Sequence, residues 1–99
     1  MNVISKRGLM ERAKKHPAAA SELILWHNIA RRAEWSRFED VRRDFPSVDQ
    51  IGRVLVFNVR WNAFRLIVTV DYAARRLFIK ALLTHKEYDR KEWMKWIKP

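Results

Sequence analysis

Apolar residues recur at helical spacing along the first half of the chain and at strand spacing along the second, with the change of period near Val54. Met1 to Ile4 reads as a short strand. Ser5 stands where a side chain would cap a helix running through Lys15, with Leu9, Met10 and Ala13 as its apolar stripe. His16-Pro17 breaks that helix, because the residue before proline avoids the helical region and Pro17 suits the first turn of a new helix. The second helix runs to about Glu34 on Ala20, Leu23, Ile24, Ile29, Ala30 and Ala33, with Leu25 and Trp26 widening the stripe for broad packing on a sheet. Ser36 and Glu39 have capping-box spacing, which predicts a short third helix carrying Phe38, Val41 and Phe45 inward before Pro46. Residues 46–53 read as loop.

From Val54 three runs rich in β-branched and aromatic residues follow: Val54 to Arg60, Phe64 to Val70 and Leu77 to Leu83. Tight connections at Trp61-Asn62-Ala63 and at Asp71 to Arg75 make them a three-stranded antiparallel meander. Thr84 and Glu87 give a second capping-box spacing, so a closing helix starts at about His85 and continues through Trp93 and Trp96-Ile97. Helices first, strands afterwards and one last helix predict an α+β fold, with N-terminal helices packed on a small antiparallel β-sheet and the other sheet face partly open. Its 99 residues suit one domain, 1–99.

Strand alternation then sorts the side chains. Leu55, Phe57 and Val59, with Phe64, Leu66, Val68 and Val70 and with Leu77, Ile79, Ala81 and Leu83, form apolar sets suited to covering helices. The opposite face would carry Asn58, Arg60, Arg65, Thr69, Lys80 and Thr84, a basic floor with amide and hydroxyl donors. Strand positions usually hold Val, Ile or Phe, so cations placed there require an anion or water to answer them, and an Arg fork holds phosphate oxygens bidentately.

Charge strengthens that reading. Lys and Arg number 21 against 11 Asp and Glu, for a net charge of +10 and a pI near 10.7. The excess is +3 over residues 1–49 and +7 over residues 50–99. Such a field draws polyanions without distinguishing RNA, DNA, anionic lipid or an acidic protein. The absence of cysteine excludes disulfides and thiolate metal sites, and His16, His27 and His85 lack the spacing of metal ligands. No run is apolar enough for a membrane span or long enough at the N-terminus for a signal peptide, so the cytoplasm is the expected location.

Two blocks carry a family resemblance: Val56-Phe57-Asn58-Val59-Arg60-Trp61-Asn62-Ala63-Phe64-Arg65-Leu66, and Thr84-His85-Lys86-Glu87-Tyr88-Asp89. With Phe45-Pro46-Ser47 ahead of the sheet, they closely resemble the HigB toxins, a branch of the RelE superfamily of bacterial messenger-RNA interferases. The resemblance spans nearly the whole chain. It implies a RelE-like microbial RNase fold, cleavage of mRNA in the ribosomal decoding site, and neutralisation by a helix-turn-helix antitoxin of the HigA type. It also implies that Asn58 is a polar active-site strand residue, Arg65 a phosphate-binding arginine and Tyr88 a catalytic or base-stacking tyrosine, with His85 and Lys86 beside them. The chain departs from the family at Arg60-Trp61, where glycines are frequent.

The chemistry such a site must perform is simple to state. A deprotonated 2′-OH in line with the next phosphate displaces the 5′-oxygen, provided that the pentavalent charge is stabilised and the leaving oxygen is protonated. Neither metal nor cofactor is required. Arg65, with Arg60 or Lys80, would stabilise the phosphorane; His85 or Lys86 would act as base or acid; Tyr88 would orient the 2′-OH or stack on a base, and a cationic pocket would favour its tyrosinate. Arg60, Trp61, Lys80, Thr84, Lys91 and Lys95 are expected RNA contacts. Plainer roles compete: Asn58 at a bulge or edge, Asn62 as a turn residue, Arg65 paired with Asp71 or Glu87, Tyr88 as core, and Trp93 and Trp96 packing the last helix on the sheet. Two rival functions use the same face, a non-catalytic RNA- or DNA-binding module and a dock for an acidic protein.

Overall fold

A computed structural model describes residues 1–61 and 63–98 and gives the chain as an α+β fold around a five-stranded sheet. In chain order the elements are β1 (Asn2–Ile4), α1 (Lys6–Lys15), a 3-10 turn (Pro17–Ala19), α2 (Ala20–Arg32), α3 (Phe38–Asp44), β2 (Asp49–Ile51), β3 (Val54–Val59), β4 (Phe64–Asp71), β5 (Arg76–Thr84), α4 (His85–Asp89) and a second 3-10 turn (Glu92–Trp96). The sheet order is β1-β5-β4-β3-β2. The predicted antiparallel meander forms its centre, β3 to β5. Two short edge strands extend it: β1 lies parallel to β5, making the sheet mixed, and β2 arises within the stretch expected to be loop. With three residues each, neither edge strand has enough alternation to announce its partner.

The helices cover one face. Leu9 and Ala13 of α1, Leu23, Trp26 and Ala30 of α2 and Val41 of α3 close on Leu55, Phe57, Val59, Leu66, Val68 and Leu77. Trp26, Trp35, Phe45 and Phe57 meet edge-on or stacked at centroid distances of 5.1 to 6.4 Å. The stripe of α2 is narrower than its sequence predicts: Leu25 is 59% exposed and Ile24 48%, while His27 is buried in their place.

Two of the three expected caps are built differently. Ser5 occupies the N-cap of α1 with a left-handed backbone, φ 77°, and its hydroxyl makes no cap bond. Ahead of α3, Ser36 donates through its backbone N–H (2.9 Å) and hydroxyl (3.0 Å) to Asp40, one position beyond the expected Glu39. Those two donors hold the Asp40 carboxyl below its usual range. The third cap stands as predicted: Thr84 Oγ1 accepts from Glu87 N (3.2 Å), and Thr84 N donates to the Glu87 carboxylate (3.0 Å).

The second sheet face is not an open floor. A bulge opposite Ile67 and Val68 inserts Lys80 into β5 and reverses side-chain parity beyond it. Leu82 therefore joins the helix-side core, while Ala81 and Leu83 face the other way. There, Val54, Val56 and Ile67 are sealed by Trp93, with Tyr88, Trp96 and Ile97 packed around them, and Thr69 is buried rather than solvent-facing. The closing helix stops at Asp89. Lys91 then takes a left-handed φ of 62°, and the chain turns back over the sheet as the second 3-10 turn. Arg53 fastens that segment by donating Nε to Trp96 O at 2.9 Å. Gly52, at φ +58°, lets Ile97 approach so closely that a Cβ would sit 2.7 Å from its methyl carbon.

Candidate active site

At the hairpin end of this second face the apolar cover runs out and polar side chains replace it. Asn58 of β3 and Arg65 of β4 are direct cross-strand partners, so their side chains emerge side by side. Asn58 Nδ2 donates to Ser47 O at 3.3 Å, tying the strand to the Phe45-Pro46-Ser47 loop. The Arg65 guanidinium carbon lies 5.2 Å from the centroid of the Tyr88 ring, and Nη1 donates to Phe64 O at 3.4 Å. Tyr88 in turn stacks on Trp93, centroids 5.1 Å apart and planes within 6°, and Trp93 Nε1 donates to Tyr88 O at 3.1 Å. Asn58, Arg65 and Tyr88 thus converge, Asn58 beside Arg65 by strand pairing and Arg65 on Tyr88 by a cation–π contact.

Helix α4 brings up the remaining chemistry. Thr84 caps it, and His85 N donates to Ala63 O at 3.2 Å, so the helix start is clipped to the β3–β4 hairpin. His85 Nδ1 lies 3.0 Å from Asp89 Oδ2 on the next turn. A carboxylate at Nδ1 holds the neutral imidazole with its proton there and leaves Nε2 as the basic nitrogen. Lys86 is exposed beside it. Beneath the helix a hollow of about 90 Å³ is lined by Glu87, Arg90, Trp93, Lys95 and Trp96, with Lys95 Nζ 4.9 Å from the Trp96 ring.

Burial pushes the Tyr88 hydroxyl above its ordinary range; the Arg65 charge opposes this, and Asp49 and Asp89 add to it. The expected tyrosinate is therefore overturned, because desolvation outweighs the guanidinium. Tyr88 stays a neutral phenol at neutral pH, able to donate a proton or hydrogen bond. Glu87 is held below the usual carboxylate range chiefly by the Thr84 backbone N–H.

Two predicted floor residues point elsewhere. β3 ends at Val59, and Arg60 turns to the helical layer, donating N to Glu22 (2.7 Å) and Nη1 to Ala18 O (3.0 Å). The Lys80 ammonium lies over the Phe78 ring at 5.7 Å, toward the far end of the sheet, since the bulge displaces it from Arg65. Trp61 stands at the hairpin tip and Lys91 at the αL link after α4, both exposed. The turn role expected of Asn62 lies outside the described residues. Ser47, Asp49 and Trp93 were not nominated for the site by sequence; only the fold carries them there. His16 packs on Phe64 with ring centroids 4.9 Å apart and bears electrostatically on Glu87.

Residues 19–91 match the family described as HigB toxin, RelE-like toxic component of a toxin–antitoxin system. The chain belongs to the HigB toxin family. It is 30% identical over 92 residues to the mRNA interferase toxin HigB of Escherichia coli strain K12, covering 90% of this chain and 88% of the relative. The mRNA interferase HigB of Shigella flexneri matches to the same extent, and that of Escherichia coli O6:H1 is 30% identical over 93 residues, covering 91% and 90%. The matched region of this HigB-family chain contains Asn58, Arg65, His85, Lys86 and Tyr88. Among the described residues no helix is long and apolar enough to cross a membrane.

Proposed function

We propose that the protein is the toxin of a type II toxin–antitoxin pair, an endoribonuclease that cuts mRNA on the translating ribosome in the cytoplasm, and that a helix-turn-helix antitoxin of the HigA kind restrains it. The observation that carries this reading is the meeting of Asn58, Arg65 and Tyr88 at the uncovered end of the second sheet face, beside the clipped start of α4. A fixed guanidinium there answers a phosphate in the ground state and the extra negative charge of a pentacoordinate phosphorus.

His85 Nε2 takes the proton from the 2′-OH, with Asp89 holding the ring and stabilising the imidazolium that forms. The 2′-oxygen attacks the adjacent phosphorus, Arg65 neutralises the phosphorane, and Asn58 holds the substrate in line through its amide. The P–O5′ bond breaks and the leaving oxygen takes a proton from the Tyr88 hydroxyl, whose raised pKa keeps it protonated until then. Lys86 adds positive charge at the same edge. The products are a 2′,3′-cyclic phosphate and a 5′-hydroxyl, and the next turnover returns a proton from His85 to Tyr88 through solvent.

Induced expression in a bacterial host tests the reading. It should arrest growth and yield mRNA fragments whose downstream pieces begin with a 5′-hydroxyl, with Tyr88→Phe and His85→Gln sparing growth. Harmless wild-type expression with intact transcripts would defeat the proposal; RNA bound but left whole would indicate a binding module instead.

A further inference from the structure

We infer that Trp61 is a stacking platform for an unpaired nucleobase of the RNA that lies across the site. The inference rests on the proposed ribonuclease reading and adds the substrate contact at the hairpin tip. Trp61 is 97% exposed, so its indole contributes nothing to packing. Its φ is 58° and that of Arg60 is 50°, the left-handed region in which a bulky side chain is strained and glycine is not. A large aromatic residue therefore sits where folding would favour the smallest one, and the described residues leave its ring almost wholly uncovered.

The turn that presents it is pinned on both sides. On the helical side, Arg60 N reaches Glu22 at 2.7 Å and Arg60 Nη1 reaches Ala18 O at 3.0 Å. On the other, His85 N holds Ala63 O at 3.2 Å. Trp61 is thus held at the end of the sheet where β3 delivers Asn58 and α4 delivers His85. Trp61 follows Asn58 by three positions, and because Arg60 and Trp61 turn in the left-handed region, the Cα atoms of Asn58 and Trp61 lie closer than the roughly 10 Å that three extended residues would span. Cations stand on the elements joined to this hairpin, Arg65 on β4 and Lys86 on α4, whose first residue is clipped to Ala63. An exposed indole beside a cationic phosphate site is the arrangement by which proteins hold single-stranded RNA, charge tracking the backbone and a ring stacking on a base.

The test is steady-state cleavage of mRNA on programmed ribosomes by wild type, Trp61→Gly and Trp61→Phe, with thermal unfolding measured in parallel. Trp61→Gly should melt at or above the wild-type temperature, raise KM about tenfold or more, leave kcat within about threefold and blur the choice of cut position. Trp61→Phe should restore most of the affinity. A glycine variant with unchanged KM and cut positions overturns the inference while the ribonuclease reading stands; one that melts lower overturns it by showing that the ring packs in the fold. Failure of the wild type to cut any mRNA removes both.

Discussion

On the helix-covered face of the sheet, Leu55, Phe57, Leu66, Val68 and Leu77 are sealed beneath three helices, and the residues between them are apolar from one end to the other. On the opposite face Val54, Val56, Ile67 and Thr69 are buried, and the C-terminal segment from Tyr88 to Ile97 covers only part of the sheet. The same alternating strands serve both sides. A long cover converts every inward position into core, whereas a short one leaves a boundary where Asn58 and Arg65 can be held rigidly yet meet solvent and substrate. The precision of the site derives from the sealed face, and its chemistry from the unfinished one.

The contrast is open to attack by mutation. Leu66→Ala, beneath the helices, should destabilise the protein by about 2–5 kcal/mol in urea unfolding, since its cavity cannot collapse between packed layers. A loss below about 1 kcal/mol would show that this face is not the dominant core. Gly52→Ala should cost about 1–2 kcal/mol from its left-handed backbone alone, more if Ile97 must move, and should loosen the C-terminal cover. Increased proteolysis near Trp96, with the helices still protected from hydrogen exchange, would confirm that the two covers are separable. Thr84→Ala removes the cap of α4 and should cost about 1 kcal/mol, with a larger proportional loss of cleavage because His85 and Tyr88 ride on that helix.

The smallest effect is a pH dependence. Burial, with the charges of Glu39 and Asp40, pushes the Tyr72 hydroxyl up to about 12. An unfolded tyrosine titrates near pH 10, so its contribution to stability is complete below about pH 10 and disappears as pH rises through about 12. Tyr72→Phe should flatten unfolding free energy across that window; an unchanged alkaline slope would contradict the assignment.

Much of this was legible in the sequence, for reasons that differ by residue. Asn58 and Arg65 could be placed on one face in advance because strand alternation sorts side chains, and the α4 cap because Thr84 and Glu87 leave little choice of geometry; the direct pairing of Asn58 with Arg65 is the register of the folded hairpin. The bulge at Lys80 was hidden because an extra residue leaves no mark in an apolar run, and it reversed the assignment of Ala81, Leu82 and Leu83. Arg60 was misplaced because the strand ends one residue earlier and Ala18 and Glu22, distant in sequence, claim it. The direction of the Tyr88 shift depended on Trp93 folding back over it, which required the αL break at Lys91.

Arg65→Ala decides the central claim most directly, in single-turnover cleavage of ribosome-bound mRNA read beside circular dichroism and thermal unfolding. The account predicts a cleavage rate lower by about 10²–10³, with the spectrum and melting temperature close to wild type. A variant that folds normally and cuts at the wild-type rate would contradict it.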